Sequence, residues 1–147
     1  MTRALVVDDD ETIRDTLYEL LSEHYICQTA ETAEKAIARL QADTYDVVLT
    51  DISMPGLSGL ELLGQVRQRF PNTPVIVISG ISDQEHAQGL IRLGAFDYLL
   101  KPFSLEEVEK SVKRAIDYRR QLLQKSVSET ALNNDDTGDW KIVTQGE

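Results

Sequence analysis

The sequence contains a single cysteine, Cys27, and no apolar run of the length that a membrane span requires. One cysteine excludes an internal disulfide framework and is typical of a reducing compartment. Basic residues are in the minority, with 15 Lys and Arg against 25 Asp and Glu, so the net charge is −10. Because phosphate backbones repel an acidic surface, this imbalance argues against direct nucleic-acid binding by the chain.

The beginning of the chain lacks the pattern of a secretory signal peptide, because residues 1–4 lead directly into an apolar run. Together with the absence of a membrane-length segment, this pattern predicts a cytoplasmic protein without a membrane partner. The length of 147 residues suffices for one domain with a hydrophobic core and a tail.

Short apolar runs alternate with segments of helical period along most of the chain. Four clear runs span residues 4–7, 46–50, 74–79 and 97–100, and a weaker run spans residues 25–29. They are nearly continuous in apolar residues, as strands buried on both faces are. Strand followed by helix, repeated five times, predicts an α/β fold with a parallel sheet, right-handed crossovers and helices on both faces.

The last part of the sequence changes in composition. Residues 126–147 are poor in apolar residues and rich in Asn, Asp, Thr and Gly, which favours an acidic flexible tail or linker. We therefore predict one domain over residues 1–125, with the final helix extending as far as 125. Residues 140–143 are interpreted as a loosely packed strand-like segment, and the start of a further domain is the alternative.

Other side chains mark the ends and faces of the predicted helices. Thr32 and Ser104 are predicted N-caps, and Glu107 completes a capping box with Ser104. His86 is expected at a solvated helix position without a functional partner. The basic residues within 113–125 are expected on a solvated helix face, with a surface for partner docking or dimerisation as the alternative.

Charged and polar side chains stand where the predicted strands end. Asp8 and Asp9 follow the first strand, Asp51 follows the third, Ser79 ends the fourth and Lys101 follows the fifth. Because the carboxyl ends of parallel strands open onto one edge of a sheet, we expect these side chains to meet there. Taken singly, each has a simpler interpretation as a cap, a turn residue or a surface charge. Their joint occurrence favours one site.

The three carboxylates predict a metal site with phosphoryl chemistry. Like charges at close range repel strongly, and Mg²⁺ is a cation that prefers carboxylate oxygens. Asp8, Asp9 and Asp51 are therefore candidate Mg²⁺ ligands. An aspartate held beside the metal can attack phosphorus, as in enzymes that form aspartyl phosphates. Lys101 would supply a second positive contact, and Ser79 would donate a hydrogen bond to the same group.

Four segments resemble, in order, the motifs of the receiver domains of bacterial two-component response regulators. They are VVDDDE at 6–11, DISMPGLSG at 51–59, VIVISG at 75–80 and GAFDYLLKPF at 94–103. The resemblance covers roughly residues 3–120. It implies a flavodoxin-like doubly wound (βα)5 fold, with a five-stranded parallel sheet of order 2-1-3-4-5.

The resemblance also implies a role for each matching position. Asp51 is the implied phosphoacceptor, and it would bind Mg²⁺ together with Asp8, Asp9 and the backbone carbonyl of Ser53. The implied phosphoryl contacts and switch residues are Ser79, Lys101 and Tyr98. The implied cis peptide bond precedes Pro102. Gly80 replaces the alanine more often found after the Ser or Thr, and we expect no loss of function from it.

The implied function is a signalling switch, with no enzyme activity beyond its own phosphorylation and dephosphorylation. A sensor histidine kinase or phosphotransfer protein would phosphorylate Asp51. The surface of the fourth helix, fifth strand and fifth helix would then change and control an output domain or a homodimer.

Three alternatives stay open at this point. The chain is either a stand-alone receiver or the N-terminal receiver of a multidomain regulator whose effector domain is absent. A phosphatase with an aspartate nucleophile and a flavodoxin-like cofactor binder are less favoured. Ser53 stands two residues after Asp51, where the former would carry a second aspartate, and the acidic loop after the first strand would repel the phosphate of the latter.

Overall fold

The computed structural model describes residues 2–54, 56, 58–81 and 84–135, with the backbone alone for 126–135. Within these residues, five strands alternate with five helices. The strands are β1 (Arg3–Val7), β2 (Ile26–Ala30), β3 (Val47–Asp51), β4 (Val75–Ser79) and β5 (Asp97–Leu100). The helices are α1 (Glu11–Ser22), α2 (Ala33–Ala42), α3 (Gly59–Arg69), α4 (Gln84–Arg92) and α5 (Leu105–Asp135). Every predicted strand is confirmed to within one residue at each end.

The strands form one parallel sheet in the order β2-β1-β3-β4-β5, which confirms the predicted fold. Strands β3 and β4 are buried along their whole length, because apolar helix faces cover both sides of the sheet. One core cluster joins the sheet to α2, α3 and α4, and the other joins it to α1 and α5. The core therefore fixes the positions of the central strand ends.

The helix ends confirm the capping predictions. The Thr32 side chain accepts a hydrogen bond from the backbone N–H of Lys35 at 3.1 Å. Ser104 and Glu107 form the reciprocal pair of a capping box, with distances of 3.0 and 3.1 Å. Gly94 follows α4 with a φ of 108°, a left-handed conformation that glycine adopts at little cost.

Helix α5 continues beyond the predicted end at residue 125, so residues 126–135 have helical backbone. The physical reason is that residues 105–135 contain neither proline nor glycine, so nothing in the local sequence ends the helix. Residues 140–143 lie outside the described residues. Among the helices of the described part of the chain, none is both long and apolar enough to cross a membrane.

One basic residue of α5 is buried, contrary to the expectation of a solvated helix face. Arg119 is only 8% exposed. Its guanidinium donates hydrogen bonds to Asp46 Oδ1 and the Asn72 carbonyl at 3.0 Å each, and to Thr73 Oγ1 at 3.4 Å. Asp46 also accepts from the backbone N–H of Arg3 at 2.8 Å. The stem of Arg119 thus packs α5 against the amino-terminal ends of the central strands, where its charge is compensated.

We predict that Arg119→Ala lowers the free energy of unfolding by roughly 2–4 kcal/mol, because it removes one partner of a mostly buried ion pair. Arg120→Ala is the matched control, since the Arg120 side chain is 63% exposed and its ion pair is weak. It should cost no more than about 0.5 kcal/mol. Urea unfolding of both variants measures the difference, and equal losses would contradict the assignment.

Candidate functional site

The parallel register brings the first and third strand ends side by side. Val7 pairs with Thr50, so Asp8, which follows β1, and Asp51, the last residue of β3, lie at the same edge of the sheet. Carboxylate oxygens of Asp8, Asp9 and Asp51 all lie within 4.8 Å of one another. The predicted convergence of these three acids is therefore present in the structure.

The neighbouring Asp10 is occupied by the start of helix α1. Its Oδ1 accepts hydrogen bonds from the backbone N–H groups of Thr12 and Ile13 at 2.9 and 3.2 Å, so Asp10 is the N-cap of α1. Asp10, which follows Asp8 and Asp9 directly, therefore caps the helix. Asp8 and Asp9 remain available for the site.

The Asp8 carboxylate is buried and incompletely paired. Its Oδ1 accepts from the backbone N–H of Asp10 at 2.9 Å, whereas the buried Oδ2 has no hydrogen-bond partner within the described part of the chain. Burial raises the pKa of Asp8 to about 6 and the Asp51 charge adds to the rise, while the Asp10 N–H and Lys101 oppose it. A buried carboxylate oxygen without a partner is costly, so this position favours a bound cation.

Lys101 is the basic residue that faces this cluster. Its Nζ lies 3.3 Å from Asp51 Oδ1 and 3.9 Å from Asp8 Oδ2, and the second distance is too long for a hydrogen bond. The backbone N–H of Lys101 binds the Ser79 carbonyl at 2.7 Å, and the bond to Pro102 is cis. One ammonium cannot neutralise three carboxylates. The surplus of negative charge and the all-oxygen donor set suit Mg²⁺.

The loop after β3 approaches the Asp51 backbone closely at Gly59. An added Cβ at Gly59 would lie 2.1 Å from the Asp51 carbonyl oxygen, so a larger residue would displace this loop. Ser58 and Glu61 form a capping box at the start of α3. Ser53 lies in the same loop and is exposed. The start of α3 therefore requires a residue without a side chain at position 59.

Ser79 and Tyr98 meet in a second group of contacts at the end of β4. Ser79 is fully buried, and its Oγ accepts from the backbone N–H of Ile81 at 3.1 Å. The Tyr98 hydroxyl donates a hydrogen bond to the Ile81 carbonyl. Ile81 therefore links the two side chains through its own backbone.

His86 also belongs to this group of contacts. The sequence did not predict its participation. Its Nε2 lies 3.4 Å from Ser79 Oγ, and its ring packs edge-on against Tyr98 with centroids 6.1 Å apart. The ring is half-buried, so the expectation of a solvated, unpartnered histidine is wrong. One feature of the sequence could have indicated this contact. His86 lies in the first turn of α4, and α4 begins shortly after Ser79 at the end of β4.

Comparison with known proteins agrees with this geometry. The sequence pattern of the response regulator receiver domain matches residues 4–113. The DNA-binding transcriptional regulator NtrC of Salmonella typhimurium is 43% identical over 120 residues, which are 81% of this chain and 26% of that protein. The chain thus spans about a quarter of the length of this curated relative.

Solved structures agree as well. A response regulator receiver domain protein from Clostridium thermocellum is 32% identical with a TM-score of 0.74, covering 84% of this chain and 99% of that one. NtrX from Brucella abortus is 34% identical with a TM-score of 0.78, covering 97% of this chain and 32% of that one. From the sequence match, the sheet order and the acidic edge together, the chain belongs to the response regulator receiver domain family.

Proposed function

We propose that Asp51 accepts a phosphoryl group from the phosphohistidine of a sensor histidine kinase or phosphotransfer protein. A carboxylate oxygen of Asp51 forms the bond to phosphorus, the phosphorus–nitrogen bond of the donor breaks, and its electron pair stays on the imidazole. The observation that carries this proposal is the unpartnered Asp8 oxygen, buried beside Asp51 and Lys101.

The chemistry of the site supports Mg²⁺ as its cofactor. Asp8, Asp9, Asp51 and the backbone carbonyl of Ser53 are the proposed ligands. Bound Mg²⁺ supplies positive charge that offsets the phosphoryl oxygens. Lys101, already 3.3 Å from the Asp51 carboxylate, is placed to contact the same oxygens and to orient the acceptor.

We propose that phosphorylation changes the positions of Ser79 and Tyr98, and that this movement alters the α4-β5-α5 surface. Ser79 would turn toward the phosphoryl group and Tyr98 would move inward, which shifts the population between two packings of the surface. This surface exposes large apolar side chains that a homodimer partner or an output domain would cover, at Ile91, Leu100 and Leu105.

We further propose that the chain acts as the receiver part of a longer cytoplasmic regulator. Support comes from NtrC, a DNA-binding transcriptional regulator of which this chain matches 26%. DNA binding would then be a property of the whole regulator. Membership of the receiver family leaves no support for the phosphatase and cofactor-binder alternatives.

We predict that Asp51→Asn abolishes Mg²⁺-dependent labelling by acetyl phosphate, because the amide lacks a nucleophilic carboxylate oxygen. Intact mass spectrometry should show one added phosphoryl group on the wild type with Mg²⁺ and none after chelation. Asp43→Asn, at an exposed aspartate after α2, is the matched control and should label normally. Full labelling of the Asp51 variant would overturn the site assignment.

The buried Asp8 carboxyl also predicts a pH-dependent stability. Its pKa is raised from an ordinary 3.8 to about 6, so the folded state holds its proton more tightly than the unfolded state. Without metal, stability is therefore lost as the pH rises from about 4 through 6, by roughly 2–3 kcal/mol in total. Above this range, Mg²⁺ should recover much of the loss.

We predict that, at pH 7 with a chelator, the free energy of unfolding of Asp8→Asn is roughly 2 kcal/mol higher than that of the wild type. Addition of Mg²⁺ should stabilise the wild type and leave this variant nearly unchanged. At pH 5, where much of the Asp8 carboxyl is protonated, the Mg²⁺ effect on the wild type should shrink. Urea unfolding measures each value, and a less stable Asp8→Asn variant in chelator would contradict the account.

A further inference from the structure

The two proposed switch residues, Ser79 and Tyr98, are linked through contacts with Ile81 and His86, and we call these four residues the His86 cluster. The Ser79 hydroxyl contacts the Ile81 N–H and the His86 ring, at 3.1 and 3.4 Å. Tyr98 contacts the Ile81 carbonyl and the edge of the same ring. His86 therefore contacts both switch side chains from a third element, α4.

The contact between Ser79 and His86 is polar in either tautomer of the ring. Nε2 donates to the hydroxyl in one tautomer and accepts its proton in the other. In the proposed response, the Ser79 hydroxyl turns toward a phosphoryl group on Asp51 and leaves this contact and the one to Ile81. Each contact therefore stabilises the unphosphorylated arrangement and opposes the response.

We infer that His86 is a positioning residue that holds the Ser79 hydroxyl in its resting arrangement beside Tyr98 and thereby sets how readily the domain responds to phosphorylation. The inference rests on the proposed function, because it concerns the same switch. A ligand or a partner that displaced His86 would favour the active packing, because the population shifts away from a state that loses stabilising contacts.

A purely structural role for His86 makes a different prediction. If the ring served only to fill space, its removal would lower stability and weaken the response or leave it unchanged. If it holds Ser79, its removal strengthens phosphoryl binding, and only while the Ser79 hydroxyl is present. The direction of the change and its dependence on Ser79 separate the two roles.

The binding experiment uses beryllofluoride with Mg²⁺ as a phosphoryl mimic on the whole chain. His86→Ala should tighten its binding by about two- to fivefold, since the 3.4 Å contact is at the long end of hydrogen bonds. His86→Gln, whose amide can reach the hydroxyl, should restore the wild-type affinity. Gln88→Ala, at an exposed position of the same helix, is the matched control and should change nothing.

The outcomes have distinct meanings. Unchanged or weaker binding by His86→Ala would overturn the inference and leave the proposed function intact. Failure of the wild type to bind beryllofluoride with Mg²⁺ would overturn the proposed function, and the inference with it. Tighter binding by His86→Ala that persists in a Ser79→Ala background would also overturn the inference, because the effect would not pass through Ser79.

A second measurement needs no phosphoryl mimic. The chain has only two histidines, so the imidazole ¹⁵N signals of His86 and His24 are readily assigned. Ser79→Ala should shift the Nε2 signal of His86 and leave the His24 signals in place, because His24 lies beside Tyr25 and away from β4. An unchanged His86 signal would overturn the proposed contact.

Discussion

Repulsion among the carboxylates of Asp8, Asp9 and Asp51 is the constraint on which this structure depends. The parallel register places them together, and among the described side chains the ammonium of Lys101 lies beside them. Folding therefore creates a site that is unfavourable when empty, as the raised pKa of Asp8 indicates. A bound cation would relieve this cost, and in the proposed function it would also offset the negative charge that a phosphoryl group adds to Asp51.

The rest of the fold keeps that unfavourable arrangement in place. Strands β3 and β4 are buried on both faces, so their ends cannot move apart without opening the core. At the amino-terminal ends of the strands, Arg119 binds Asp46 and joins the long helix α5 to the sheet. The ion pair of Arg119 thus lies at one end of the strands and the acidic cluster at the other. This separation leaves the site free to hold costly charges.

Much of the fold and of the acidic site was predictable, because both follow from local signals. Apolar runs mark strands, and parallel strands bring their ends together. The buried Arg119 was not predictable, since its partner Asp46 lies 73 residues away in sequence. The contacts of His86 were not predictable either, because one polar residue in a helix does not reveal which face of the helix it occupies. The extent of α5 was underpredicted because a polar composition indicates a tail, whereas the absence of proline and glycine lets the helix continue to Asp135.

The most direct test of the central claim replaces Mg²⁺ with paramagnetic Mn²⁺ and follows the backbone amide NMR signals. A cation bound by the gathered carboxylates should broaden the signals of Asp8, Asp9 and Asp51 at low metal concentration. The signals of Asp46 and Arg119, at the other edge of the sheet, should stay sharp. Broadening spread evenly over the acidic surface, or concentrated elsewhere, would contradict the claim that these three acids form one metal site.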